Sequence, residues 1–277
     1  MTLVIALKWL MGSSEAIIMA SDSRVSIGRL TYEMRKIYPI MVKSGEENIP
    51  LAIAGGAGDT SLVKKGFRTS EKVLHEYAKK KWRGKTPDFE EFEEAINDIE
   101  LRLIQMLRDL RNANIEYGFQ MILGSIDPGG KASLYLFDNR GLVEPVHDNP
   151  GFAIIGSGSL AGILLLKLLG YKPETSTEIH LGVLTGFIID LVSEVDITVG
   201  PFLGESWLMR EEKGKILLGP LREEAYKEFK EEIEYRRDLF KYIWRACDEL
   251  GKDIVRERLR ELLKPISEKA VRENEIV

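Results

Sequence analysis

The spacing of apolar residues changes several times along the chain, and each change marks an element. Thr2 to Leu7 is a short aliphatic run that reads as a buried strand. Glu15 to Ser21, rich in Ile and Ala, reads as its hairpin partner across Gly12-Ser13-Ser14. Lys36 to Val42 and Pro50 to Ala54 read as further strands, and Gly55-Gly56-Ala57-Gly58-Asp59 as a tight glycine-rich turn. From Thr60 the period becomes helical through Leu74 and Tyr77. Thr86-Pro87-Asp88 reads as a helix start, with Thr86 as N-cap and Pro87 in the first helical position. Phe92, Ile96, Ile99, Leu103, Leu107 and Leu110 follow at three- and four-residue spacing. A second strand set runs through Phe119 to Ile126, Ala132 to Asp138 and Phe152 to Ile155, with a hairpin turn at Asp127-Pro128-Gly129-Gly130. Apolar helices follow over Leu160 to Leu169, expected to be buried, and Ile179 to Val195. The last strands fall near Trp207 to Arg210 and Lys215 to Leu218.

Strands, two helices, strands, two helices, strands is an α+β order. Two sheets with helices on their outer faces fit it, a four-layer arrangement. After Gly219-Pro220 the composition turns to Glu, Lys and Arg, with an apolar stripe at Phe229, Ile233, Phe240, Ile243, Trp244 and Leu250. The expected organisation is a domain over 1–220 and a charged helical extension over 221–277. In the extension, Gly251 ends one helix and a second runs from about Asp253 to Leu263.

With 277 residues and 44% apolar content the chain can bury a sizeable core. A net charge of −5 without a basic patch argues against a nucleic-acid partner. The single Cys247 excludes an internal disulfide and a multi-cysteine metal site, and reads as a small buried hydrophobe. Lys8 and Ser13-Ser14-Glu15 break the first apolar run, so it does not read as a signal peptide. No stretch supplies the ~20 apolar residues of a membrane span. The expected location is cytoplasmic. His75, His147 and His180 lack metal-ligand spacing, so no metal or cofactor is expected.

Thr2 carries the most chemistry. If Met1 is removed, its hydroxyl lies beside its own α-amine, a self-contained nucleophile and base. That amine has an ordinary pKa of about 7.7–8.0, so a neutral fraction exists near neutrality. Asp22 alone reads as a strand-end cap and Lys36 alone as a solvent-facing strand lysine. Together they suggest a lysine that lowers the hydroxyl's pKa and an aspartate that keeps the lysine charged and oriented. Gly55 either permits a turn or lets a backbone N–H approach a substrate carbonyl as an oxyanion donor. Gly156-Ser157-Gly158-Ser159 follows a strand and precedes a helix. It reads as an anion-binding helix start or an ordinary Ser cap, and Ser157 could hydrogen-bond the terminal amine.

Five segments in order resemble the proteasome β-type superfamily of N-terminal nucleophile (Ntn) hydrolases. They are Thr2 with its strand, Ala20-Ser21-Asp22-Ser23-Arg24, Arg35-Lys36-Ile37-Tyr38, Ala54-Gly55-Gly56-Ala57-Gly58-Asp59, and Gly156-Ser157-Gly158-Ser159. Within that superfamily the chain is most similar to the Anbu-like proteasome-related family. The resemblance spans about Thr2 to Leu218. It implies an αββα sandwich with Thr2 as nucleophile, Asp22 and Lys36 as its charged partners, and Gly55 as oxyanion donor. Ser157 and Asp196 would then lie near the terminal amine. Asp196-Ile197-Thr198-Val199-Gly200 departs from the serine- and glycine-rich segment of proteasome β subunits, and the charged tail departs from their usual end.

The function implied is a threonine-type hydrolase, a protease or amidohydrolase cleaving peptide or amide bonds, with a peptide or protein substrate and homo-oligomeric assembly. Two alternatives stand beside it. One is a non-catalytic proteasome-like assembly protein. The other is a peptide ligase that uses the same Thr2, as in the proteasome-related connectases.

Overall fold

The structure, a computed structural model, describes residues 2–27, 30–33, 35–45, 47–175, 178–203 and 205–250, together with 254 and 257. It divides into two compact units, 1–230 and 231–277. The first unit therefore reaches past Pro220 and takes in the start of the charged helix.

Two five-stranded antiparallel sheets organise the first unit. Strands β1 (Leu3–Met11) and β2 (Ser14–Ser21) form the hairpin at the centre of sheet 1. They are flanked by β10 (Phe152–Gly156) on one side and by β11 (Ser206–Glu212) and β12 (Lys215–Pro220) on the other. Sheet 2 runs in simple order: β5 (Ile37–Ser44), β6 (Glu47–Gly58), β7 (Phe119–Ile126), β8 (Ala132–Phe137) and β9 (Val143–Pro145). A separate ribbon, β3 (Arg24–Ile27) with β4 (Leu30–Glu33), leaves the end of β2. Neither the ribbon nor β9 is signalled in the sequence, because both are too short to establish a period of two.

Alternation along each strand sends side chains to opposite faces. Val4, Ala6, Ile17 and Met19 of sheet 1 meet Ile53, Ala57, Ile122 and Leu134 of sheet 2 in one buried cluster. The other face of sheet 2 packs on α1 (Thr60–Lys80) and α2 (Phe89–Asn112), through Leu62, Phe67, Leu74, Ile96, Ile99 and Leu103. The α2 start differs from expectation. Its N-cap is Asp88, not Thr86: the Asp88 carboxylate accepts from the Glu91 N–H while the Glu91 side chain accepts from the Asp88 N–H. That reciprocal box satisfies two otherwise orphaned donors.

Helices α3 (Ser159–Leu168) and α4 (Glu178–Val195) lie against sheet 1, both touching β1. Gly162 and Leu166 of α3 are buried on that side. The expectation that α3 is buried is corrected on its outer side: Leu160, Leu164 and Leu168 are 71%, 61% and 72% exposed. Their four-residue spacing puts them on one outward stripe.

The expected turn at Gly55 to Gly58 is also absent, because β6 runs straight through to Gly58. These glycines serve close packing. A Cβ on Gly55 would lie 2.8 Å from Val4 Cγ1 and 2.7 Å from Met19 Sδ; one on Gly56 would lie 2.2 Å from Val63 Cγ1.

Helix α5 (Glu223–Leu250) starts in the first unit, where Phe229 packs where a Gly182 Cβ would otherwise sit. In the second unit Ile233 is buried, while Tyr235, Tyr242 and Trp244 are exposed. The expected helix end at Gly251, the second helix over Asp253 to Leu263 and the surroundings of Cys247 lie outside the described residues. Among those described, no helix is long and apolar enough to cross a membrane.

Leu103 is fully buried and Leu101, on the same helix, is 64% exposed. Leu103→Ala should therefore destabilise the protein by about 2–5 kcal/mol, and Leu101→Ala by less than about 0.5 kcal/mol, as measured by urea denaturation.

Candidate active site

Three chain segments that are distant in sequence converge on Asp22. This residue follows β2 directly and is completely buried. Its Oδ1 accepts from the Thr2 hydroxyl at 2.6 Å, the Leu3 N–H at 2.7 Å and the Lys36 ammonium at 2.6 Å. Its Oδ2 accepts from the N–H groups of Gly200 at 2.8 Å and Arg24 at 3.1 Å. Thr2 precedes β1 and is itself buried. The β1–β2 pairing of Val4 with Ser21 brings the two strand ends together, which explains why a strand-end carboxylate reaches the first described residue.

Lys36 enters from the other sheet, one residue before β5. Its ammonium also donates to the Arg24 carbonyl at 2.6 Å, and its own carbonyl accepts from the Gly56 N–H at 3.1 Å. Burial is the main influence on Lys36 and pushes its pKa below the ordinary lysine value, while Asp22 and Glu205 oppose that shift. The ion pair with Asp22 is buried on both sides, with Lys36 3% exposed.

Ser157 and Asp196 approach from the far side of Thr2. Ser157 Oγ lies 3.4 Å from the Thr2 carbonyl and 2.7 Å from Thr198 Oγ1. Asp196 accepts from both the N–H and the hydroxyl of Thr198. Asp196, Thr198, Ser157 and the Thr2 carbonyl thus stand in a row at hydrogen-bonding distance, with two hydroxyl protons shared among three contacts. Thr198 was not anticipated, although its hydroxyl two residues after an aspartate is a recognisable local turn pattern. Gly156 permits the close approach: its φ is +100°, and a Cβ there would lie 2.0 Å from the Thr2 carbonyl oxygen. Met1 and the terminal amine lie outside the described residues.

Gly55 sits beside this cluster but inside the sheet. The Gly56 N–H to Lys36 carbonyl bond makes Ile37–Gly55 a non-bonded ladder pair. The Gly55 N–H and C=O therefore face β7, opposite Ile122. The expected oxyanion role competes with that ladder bond.

No protein-family model matches the chain, and no curated protein is significantly similar to it in sequence.

Two more groups belong to the site without having been expected. Gly200 donates to Asp22 and packs against Arg24, where a Cβ would lie 2.6 Å from Arg24 Cβ. Glu205 accepts from the backbone of Lys36 and Ile37. Among the described residues no three His, Cys, Asp or Glu side chains are grouped to hold a metal. His75 bonds the Met41 carbonyl, and His147 lies edge-on against Tyr135 and Phe89, so both have structural surroundings.

The arrangement orients a hydroxyl, fixes a buried cation within reach of the same carboxylate oxygen, and neutralises that carboxylate with five donors. Asp22→Asn would leave the Lys36 ammonium buried without its counter-charge. It should destabilise the fold by about 3–5 kcal/mol, seen as a lower urea midpoint with an unchanged slope.

Proposed function

We propose that the protein is a threonine-type Ntn hydrolase that cleaves peptide or amide bonds, with Thr2 as nucleophile after removal of Met1. The observation that carries this reading is the shared Asp22 oxygen, which holds the Thr2 hydroxyl and the Lys36 ammonium at 2.6 Å each. A hydroxyl that only capped a strand would need no buried lysine beside it. The packing order also supports the αββα sandwich as the fold: α1 and α2 cover sheet 2, α3 and α4 contact sheet 1, and the sheets share a core.

In the proposed reaction Thr2 Oγ attacks the substrate carbonyl carbon and its proton passes to the α-amine of the same residue. Lys36 stabilises the developing charge on Oγ. The tetrahedral oxyanion needs an N–H donor; to serve as one, Gly55 would exchange its ladder bond to Ile122 for the substrate. The amine then delivers its proton to the departing nitrogen, leaving an ester on Thr2. Water activated by the amine hydrolyses the ester. If a second amine takes the acyl group instead, the same site joins peptides.

Assembly is the second part of the proposal. Leu160, Leu164 and Leu168 form an exposed stripe on α3, and Val195 and Ile197 are also exposed, at 76% and 87%. Solvated leucines in a row on one helix favour a protein partner, and the proposed partner is a second copy of this chain. Leu164→Glu together with Leu168→Glu should then lower the sedimentation coefficient to that of a monomer with native circular dichroism. An unchanged coefficient would remove this face from the assembly.

Intact mass spectrometry with a peptide epoxyketone tests the chemistry. Loss of Met1 and a single adduct, absent in Thr2→Ala, is the expected result. Retained Met1 with no adduct sinks the hydrolase reading and favours the assembly protein. Adduct formation should rise as the amine loses its proton near its ordinary pKa of about 7.7–8.0. It should fall again at high pH as Lys36 deprotonates, below the ordinary lysine value because burial disfavours the ammonium.

A further inference from the structure

Glu205 is a half-buried carboxylate at the entry to β11 that accepts four hydrogen bonds from described residues. Its Oε1 accepts from the N–H groups of Lys36 at 2.9 Å and Ile37 at 3.1 Å. Its Oε2 accepts from the Ser21 hydroxyl at 2.5 Å and again from the Lys36 N–H at 3.1 Å. Its own carbonyl accepts from the Ser21 N–H at 2.9 Å. A glutamine NH₂ could donate to the Ser21 hydroxyl but would also face the Lys36 N–H, which only donates, so the position favours a carboxylate. The contacts are as specific as their chemistry. Ser21 immediately precedes Asp22, and Lys36 is the residue that Asp22 must reach. Glu205 thus fixes the main chain on both sides of the buried ion pair.

We propose that Glu205 is a positioning residue: it clamps the Ser21 and Lys36 main chains so that the Lys36 ammonium meets Asp22 and stays charged beside Thr2. Its catalytic consequence rests on the hydrolase reading above, but its hold on Lys36 does not. Burial raises the Glu205 pKa above the ordinary glutamate value, while Ser21, the Ile37 and Lys36 N–H groups and the Lys36 charge pull it down. The charged groups acting on Lys36 are Asp22, Glu205 and Arg24. On acidification Glu205 takes a proton before an ordinary glutamate would. One negative charge beside Lys36 is lost, and an oxygen that accepted from Ser21 or the backbone becomes a donor.

The decisive comparison is wild type against Glu205→Gln and Glu205→Asp, with native circular dichroism required of each. The Lys36 side chain is titrated by NMR, its signal assigned by loss in Lys36→Arg. Glu205→Gln should lower the Lys36 pKa further and slow the Thr2 epoxyketone adduct by roughly 10- to 100-fold. Glu205→Asp keeps the charge but shortens the reach, so it should hold the Lys36 pKa near wild type while slowing the adduct. A Glu205→Gln protein whose Lys36 titrates as in wild type overturns the proposal. If Glu205→Gln does not fold, Ser21→Ala removes one donor and should carry the acid limb of the Lys36 environment, followed by the same NMR signal, to higher pH. An unmoved limb overturns the proposal. Absence of any adduct in wild type refutes the hydrolase reading separately, and the Lys36 titrations still decide the role of Glu205.

Discussion

The site depends on the complete burial of the Asp22 carboxylate. An ionised carboxylate out of water is costly unless its lone pairs are taken up. Here five donors take them up, two from side chains and three from the main chain. Those donors come from the start of β1, from Arg24, from the residue before β5 and from Gly200. The carboxylate therefore cannot be satisfied until both sheets and the segment after α4 are in place. Order in the site and order in the fold are one requirement, which is why removing the charge is expected to cost stability as well as chemistry.

Much of this was legible in the sequence, and the failures have physical causes. Thr2, Asp22 and Lys36 could be read only as a set: singly, Asp22 reads as a strand-end cap and Lys36 as a solvent-facing lysine, whereas the structure buries both. Gly55 to Gly58 was misread because glycine signals both a left-handed turn and the absence of a Cβ. In this chain the second meaning governs Gly55 and Gly56, where the side chains of Val4, Met19 and Val63 fill the space, while Gly58 takes a positive φ of +114°. Glu205 could not be read at all. Its partners are largely backbone N–H groups, which every sequence has, and its residue number is far from theirs. The α2 start was displaced by two residues because Thr86, Pro87 and Asp88 all suit helix starts, and only Asp88 pairs with a glutamate three residues on.

Helix α3 shows the limit of hydrophobicity as a guide to burial. A helix apolar on every side must be covered on every side, but sheet 1 can cover only one. Gly162 and Leu166 face inward, and Leu160, Leu164 and Leu168 face out. The apolar pattern states a demand for burial that sheet 1 meets on one side of the helix.

Lys36 joins three things at once: its ammonium binds Asp22, its carbonyl holds Gly56, and its N–H is held by Glu205. That arrangement has an evolutionary corollary. Whatever Thr2 does, Asp22 and Lys36 would be selected to stay, because they tie one sheet to the other. The Thr2 hydroxyl is bound by no such debt, since a small apolar side chain would leave Asp22 with four donors. In sequences of this kind the aspartate–lysine pair serves the architecture as well as the site, and the residue at position 2 is what separates the two.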